Sequence, residues 1–204
     1  MKTPDLEILL SSESLSISGL KYIPNYITID KQNQLLDSLD QEEWSIESIE
    51  FKRRIQQHGY RYIYKDGVLV GANYLGPLPE WAQSIALRLH NESLTAIVPD
   101  QLTVNDYQPG EGLTSHIDCV TCFGNTIITL SLGSAYVMEF THSQTYEKRE
   151  ILLLPGSLLV LQGEARYVWK HSAAHRKIDY YQGKEYVRSR RVALTFRQAV
   201  FPYK

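Results

Sequence analysis

Hydrophobic and polar positions follow two textures along this chain. In the first hundred residues the apolar positions recur at helical spacing in two places. Residues 29–39 predict a helix with Asp30 as its N-cap. Residues 79–89 predict a second, with Pro79 near its start and Trp81, Ile85, Leu87 and Leu89 at apolar positions. Between them, residues 51–63 mix charges with tyrosines and predict strands or loops. From about Leu102 onward, short apolar runs at 102–107, 126–132, 136–140, 151–154, 158–161 and 192–196 are separated by turn signals. Pro109-Gly110, Gly133-Ser134 and Pro155-Gly156 are the clearest of these. Repeated short strands with tight turns predict an antiparallel sandwich or barrel. The helices before it would pack on its outside. The expected fold class is mainly β with flanking helices, α+β.

Length and charge narrow the picture. The 204 residues suit one domain over 1–204, with residues 1–58 as an N-terminal elaboration. The formal net charge of −2 argues against strong non-specific attraction to nucleic acid and leaves room for a local basic patch. No apolar run reaches the roughly eighteen residues of a membrane helix. The first twenty residues are Ser-rich, carry Asp5, Glu7 and Glu13, and lack a basic leader, so a cytoplasmic protein is expected. A monomer is assumed. The two cysteines, Cys119 and Cys122, are too few for a disulfide-stapled secreted fold. Their C-x-x-C is half of a zinc knuckle without a second half and lacks the βαβ context of a thioredoxin motif.

His116-Ile117-Asp118 is the sharpest local feature. Residues i and i+2 of a strand share a face, so an imidazole and a carboxylate would stand side by side. Two histidines and one carboxylate form the facial ligand set of non-haem Fe(II) oxygenases. An H-x-D tripeptide alone is common by chance, and the set needs a distant second histidine. His142, in an apparent turn, reads as solvated. His171 follows Tyr167-Val168-Trp169, which has the look of a buried strand end, and His175 is not separable from it by spacing. Arg191 and Arg197 are six residues apart on one predicted strand face, their Cα atoms about 20 Å apart if extended. Two inward guanidinium groups would meet the two ends of a short dicarboxylate. On their own they read as a solvated basic edge strand.

Several segments, in order, resemble the AlkB-like branch of the Fe(II)/2-oxoglutarate dioxygenases. They are Asn105-Asp106-Tyr107-Gln108-Pro109-Gly110, His116-Ile117-Asp118, Ser131-Leu132-Gly133-Ser134, Leu154-Pro155-Gly156-Ser157-Leu158, the run from Gly163 to His171, and Arg191 through Arg197. The resemblance covers residues 59–197, with 102–197 as the core. It implies a double-stranded β-helix, or jelly roll, with Fe(II) and 2-oxoglutarate as cofactor and cosubstrate. It implies His116, Asp118 and His171 as metal ligands, and not His175. It also implies that Asn105 and Tyr107 touch 2-oxoglutarate, that Arg191 pairs with its distal carboxylate, and that Arg197 lies near the chelating end. Beside the metal site, the two thiols then read as an oxidation liability.

The resemblance points to a modified nucleobase in RNA or DNA as substrate. The wording of residues 101–118 and 130–179 looks most like the branch that hydroxylates modified wobble uridine in tRNA. Relatives that demethylate DNA bases often carry acidic residues where this chain has Cys119 and Val120. Those tRNA enzymes carry an RNA-binding module for which this length leaves no room. The acidic net charge motivates an alternative, the same chemistry on a protein or small molecule. A silent jelly-roll binding module is disfavoured, since three ligands and two arginines are all present. A nucleic-acid surface needs local basic and aromatic residues. Lys52, Arg53, Arg54, Tyr60, Arg61, Tyr62 and Tyr64 form one interleaved cluster, with Arg53, Arg54, Tyr60 and Tyr62 as the substrate candidates. Lys177, Lys184, Arg188 and Arg190 form another, and charged loops explain either equally well.

Overall fold

The computed structural model of the protein describes residues 16–46, 53–65 and 68–200, and of residues 63–65 and 68–70 the backbone alone. Alternation along the central strands explains the architecture. In β15 (Arg191–Ala199), Val192, Leu194 and Phe196 are fully buried on one face, while Arg191, Ala193, Thr195 and Arg197 line a cavity on the other. Its antiparallel neighbours β6 (Gln101–Tyr107) and β8 (Phe123–Gly133) keep this division. Leu102, Val104, Ile128, Leu130 and Leu132 join the apolar face, and β11 (Leu158–Leu161) adds Leu158 and Val160.

Two helices cover that face. α1 (Ile29–Gln41) buries Leu35 and Leu39, and α2 (Glu80–Asn91) buries Ala82, Ile85, Ala86 and Leu89 at i, i+3, i+4 and i+7. Leu87, expected among the apolar positions, lies outside this stripe and is exposed. The α1 N-cap is Thr28 rather than Asp30. Thr28 has extended backbone, and its Oγ1 accepts from Lys31 N at 3.2 Å. Asp30 sits inside the first turn, where its charge faces the positive helix end.

The major sheet has seven strands in the order β1 (Leu20–Ile23), β11, β8, β15, β6, β3 (Arg54–His58), β2 (Ser45–Ile46). The N-terminal segment expected as an elaboration thus supplies both edges of the sheet. A second sheet runs β10 (Lys148–Leu153), β9 (Tyr136–His142), β12 (Trp169–Ala173), β7 (Leu113–His116). All pairings in both sheets are antiparallel. The sheets pack through Ile127, Leu159 and Leu161 on one side and Met138, Phe140, Ile151 and Trp169 on the other. The result is a jelly roll with helices outside one sheet. Two hairpins stand apart from it, β4 (Tyr60–Lys65) with β5 (Val68–Tyr74), and β13 (Ile178–Tyr181) with β14 (Lys184–Val187).

Two local features set up the site. The run 167–169, expected as a strand end, is divided: Tyr167 closes the short helix α3 (Gly163–Tyr167) and is exposed, and β12 starts at Trp169. Gly133 has φ +82°, and a Cβ there would lie 2.4 Å from the Arg190 carbonyl oxygen. Only glycine fits that approach of the turn to the start of β15.

Candidate metal centre and cosubstrate cavity

Antiparallel pairing of β7 with β12 puts His116 directly opposite His171, with ring centroids 4.3 Å apart. β7 ends at His116, so Asp118 is not on the strand, contrary to the simple i, i+2 argument. It reaches the histidines from the loop that follows. Asp118 Oδ1 lies 3.3 Å from His116 Nε2 and 3.8 Å from His171 Nε2. The ligand atoms of the three residues fall within 4.8 Å of one another, the spacing a single metal ion requires. His116 Nδ1 lies 2.7 Å from the Thr114 carbonyl oxygen, to which it donates, so that Nε2 is the ring nitrogen facing the cluster. His175 packs instead against Gly112. His142 caps its own turn, its Nδ1 accepting from Thr145 N at 3.1 Å.

The charges suit a cation. Burial pushes the Asp118 carboxyl up, but Arg197 and the two histidines outweigh it and hold it well below the usual range, as a carboxylate. Burial pulls His171 down to about 4, so it is neutral and its lone pair is available. His116 is opposed by burial, yet its bonds to Asp118 and Thr114 raise it overall.

The Asp118 loop is clamped by three side chains in a role that the sequence reading assigned to none of them. Arg197 Nε donates to Asp118 Oδ2 at 2.9 Å. Buried Arg166, on α3, donates to the carbonyls of Asp118 at 2.8 Å and Cys119 at 2.9 Å. Tyr62 OH donates to the Cys122 carbonyl at 2.8 Å. Cys119 and Cys122, read from the sequence as two thiols, are joined as a disulfide, with Cα atoms 5.3 Å apart. Arg166 lay inside a quoted motif, and its signal was a charged residue between the apolar strand β11 and Trp169 at the start of β12.

The cavity beside the triad has a volume of about 1790 Å³. Single-ligand pockets typically measure roughly 300–1,000 Å³, so there is room for two molecules. Gln101, Thr103, Asn105 and Tyr107 of β6 line it, as do Arg191, Ala193, Thr195 and Arg197 of β15. Arg191 is 2% exposed. Its Nη2 donates to Ser131 Oγ at 3.0 Å, and its guanidinium lies 5.4 Å from the Tyr107 ring centre and 4.9 Å from that of Tyr136. Its Nε is buried without a hydrogen-bond partner, and no carboxylate among the described residues pairs with it. Burial lowers its pKa accordingly. A buried cation with an orphaned N–H, 60 residues from Ser131 in sequence but adjacent in space, fits an anionic ligand. Arg197, by contrast, is engaged by Asp118, Gln101 Oε1 and Thr103 Oγ1.

Behind Arg191 lies a second charged knot. Asp179, fully buried, accepts from Arg188 Nε at 2.7 Å and Nη2 at 2.8 Å, from Arg176 Nε at 2.6 Å, and from Val137 N at 3.0 Å. The Arg188 guanidinium stacks 3.8 Å from the Tyr136 ring centre, whose OH donates to the Glu111 carbonyl. This fixes the Tyr136 ring that faces Arg191.

The substrate candidates divide. Arg53 and Tyr62 line the cavity, with Arg53 5.1 Å from the Tyr107 ring centre. Arg54 instead pairs with buried Asp106, which also binds Arg190 at 3.1 Å. Tyr60 packs on Tyr74, with ring centres 5.0 Å apart, and lies outside the cavity lining. Arg188 is buried in the Asp179 knot and Arg190 is held by Asp40 and Asp106, so half of the C-terminal basic cluster is structural. Lys52 and the Tyr64 side chain lie outside the described residues.

The sequence pattern of the 2OG-Fe(II) oxygenase superfamily matches residues 19–197, and the chain belongs to that family. Within it the chain is AlkB-like. It is 35% identical to "Uncharacterized protein L905" of Acanthamoeba polyphaga mimivirus, over 91% of this chain and 87% of that protein. It is 34% identical to the "Alkylated DNA repair protein ALKBH8 homolog" of Arabidopsis thaliana, over 93% of this chain and 60% of that one. It is 37% identical to the mouse "tRNA (carboxymethyluridine(34)-5-O)-methyltransferase ALKBH8", over 82% of this chain but only 26% of the mouse protein. Among solved structures, OsALKBH1 aligns at TM-score 0.65 and 17% identity, covering 88% of this chain and 96% of that one, a likeness of fold. The chain is therefore an iron- and 2-oxoglutarate-dependent dioxygenase.

Proposed function

We propose that His116, Asp118 and His171 hold Fe(II), and that the chain hydroxylates or oxidatively demethylates a modified nucleobase in RNA, tRNA foremost, or in DNA. One observation carries the site reading: a single cavity is lined both by a His-Asp-His cluster and by a buried, unneutralised Arg191. Arg191, with Ser131 beside it, takes the distal carboxylate of 2-oxoglutarate, and Asn105 and Tyr107 contact the same molecule. Arg197 lies at the chelating end, where its bond to Asp118 also orients that ligand. When bound, Fe(II) and 2-oxoglutarate activate O₂, with release of succinate and CO₂ and insertion of one oxygen into a substrate C–H bond. If that carbon is attached to a base nitrogen, the product breaks down to formaldehyde and the demethylated base. The protein's own part is to keep Asp118 ionised and His171 neutral, and to hold both reactants in one cavity.

The nucleobase reading rests on the relatives whose names specify tRNA or alkylated DNA, and on Arg53, Arg61 and Tyr62 around the cavity. Succinate release measured across modified tRNA, methylated DNA oligonucleotides and free nucleosides tests it. Turnover coupled to tRNA is the expected result, and coupling to no nucleic acid would overturn it. The ion pairs that engage Arg54, Arg188 and Arg190 weaken the basic field and favour, as the second reading, a protein or small-molecule substrate.

A further inference from the structure

We propose that Cys119 and Cys122 form a reversible thiol–disulfide site whose closure tightens metal binding at His116, Asp118 and His171. The proposal rests on that triad being the iron site. The two sulfurs are unequally placed. Cys119 is half-buried and lines the cavity, directly after Asp118, whereas Cys122 is fully buried in the core between the sheets. The disulfide therefore ties the metal-bearing loop to the rigid interior.

The remaining contacts of the loop show what the tie adds. Arg166 holds the carbonyls of Asp118 and Cys119, and Tyr62 OH and Val200 N hold that of Cys122. Between these anchors Val120 is 54% exposed, and Thr121 is exposed as well. The covalent link closes the gap between the two anchored ends and adds a fixed constraint to the carbonyl bonds that hold them. In the linked form the three ligand atoms already lie within 4.8 Å. Preorganised ligands bind more tightly than ones that must be ordered on binding.

The chemistry needs an oxidant, for which hydrogen peroxide suffices. The cavity-facing Cys119 sulfur attacks peroxide, the O–O bond breaks, and Cys119 sulfenic acid and one water form. The Cys122 thiol then attacks that sulfur, the S–O bond breaks, and the disulfide and a second water form. Two thiols are oxidised by two electrons and one peroxide is reduced to two waters. A dithiol reductant reverses the step by exchange. With two intervening residues, the linkage constrains the unfolded chain little compared with a long-range staple, which suits a bond that is made and broken in the folded protein.

The test uses the full chain and Mn(II), a redox-inert probe of the same ligand set, with free Mn(II) followed by electron paramagnetic resonance. Reduced protein, freed of reductant, is compared with the same protein after stoichiometric peroxide, and thiols are counted in each. The expected result is loss of two thiols on oxidation, their return with a dithiol, and Mn(II) affinity about fivefold or more higher in the disulfide form. Cys119→Ser, at the half-buried position, should hold the affinity of the reduced protein whether or not peroxide is added. The wild-type comparison stands even if that variant misfolds. Thiols that do not cycle, or equal or weaker affinity in the disulfide form, would overturn the switch and leave the triad assignment intact. Absence of Mn(II) binding in both forms would overturn the triad assignment and the switch together.

Discussion

Replacing Arg191 by methionine removes its charge while keeping most of its apolar stem, and the structure implies opposite effects with and without 2-oxoglutarate. In the free protein the guanidinium is 2% exposed, with one hydrogen bond to Ser131 and an Nε that has no partner. Its contacts with the Tyr107 and Tyr136 rings recover on the order of 0.5–2 kcal/mol each. Desolvation of a charge without a counter-charge costs at least as much. Arg191→Met should therefore leave the melting temperature of the free protein unchanged or raised. With cosubstrate bound the balance reverses. Truncating one partner of a buried, hydrogen-bonded charge pair costs roughly 2–5 kcal/mol, an affinity loss of about 30- to several-thousand-fold. Thermal melts with and without 2-oxoglutarate, in the presence of Mn(II), read both effects. At ligand near 100 times Kd the wild type gains about 2.7 kcal/mol, which at this chain length is a rise of about 5–11 °C. The variant should show at most about a third of that rise at that concentration, and almost none at the upper end of the loss. A variant that is several degrees less stable without ligand but keeps the full rise would refute the argument. Arg191 would then be a structural residue.

Other predictions separate neighbouring roles. His171→Ala should abolish Mn(II) binding while His175→Ala retains it, and calorimetric titration giving the reverse would displace His171 from the ligand set. Asp179→Asn should cost about 3–5 kcal/mol in urea unfolding, because it leaves buried Arg188 without its counter-charge. Burial opposes ionisation of Asp179, but Arg188, Val137 N and Arg176 together bring its pKa below the usual 3.8. Its contribution to stability is therefore complete above that value and is lost as pH falls through the depressed folded-state value. The stability gap between wild type and Asp179→Asn should narrow below pH 3.8, and a constant gap would contradict the assignment. Arg53→Ala should raise KM for the nucleic-acid substrate with little change in melting temperature. Arg54→Ala should instead lower stability, through loss of its pairing with Asp106, and leave KM unchanged. Identical behaviour of the two variants would mean that the cavity lining does not distinguish them.

What could be read from the chain depended on the range of the interaction. Strands β6, β8, β11 and β15 announce themselves as short apolar runs between turn signals, because a sheet covered on both faces, by helices and by the second sheet, favours apolar residues along much of each strand. Helix α2 is equally legible, since its buried stripe recurs within three turns. The candidate triad was legible through the family motifs, but the geometry that brings it together was not. His116 meets His171 through the register of β7 on β12, a pairing between strands some fifty residues apart that no window of sequence contains. Asp118 reaches the pair from a loop, so it lies beside His116 for a reason other than the i, i+2 rule. The basic residues show the same limit from the other side. Arg54, Arg188 and Arg190 looked like a nucleic-acid surface because their acidic partners are remote: Asp106 is 52 residues from Arg54 and 84 from Arg190, and Asp40 is 150 from Arg190. Arg188 is the instructive exception, with Asp179 only nine residues away across the β13–β14 hairpin. There the clue was present but needed the hairpin to be recognised first. Charge clusters in a sequence are therefore weak evidence of a binding surface until the carboxylates of the same fold have been paired off. In this protein that pairing leaves Arg191, buried in the cavity wall with an unpartnered Nε, as the cation that awaits a ligand.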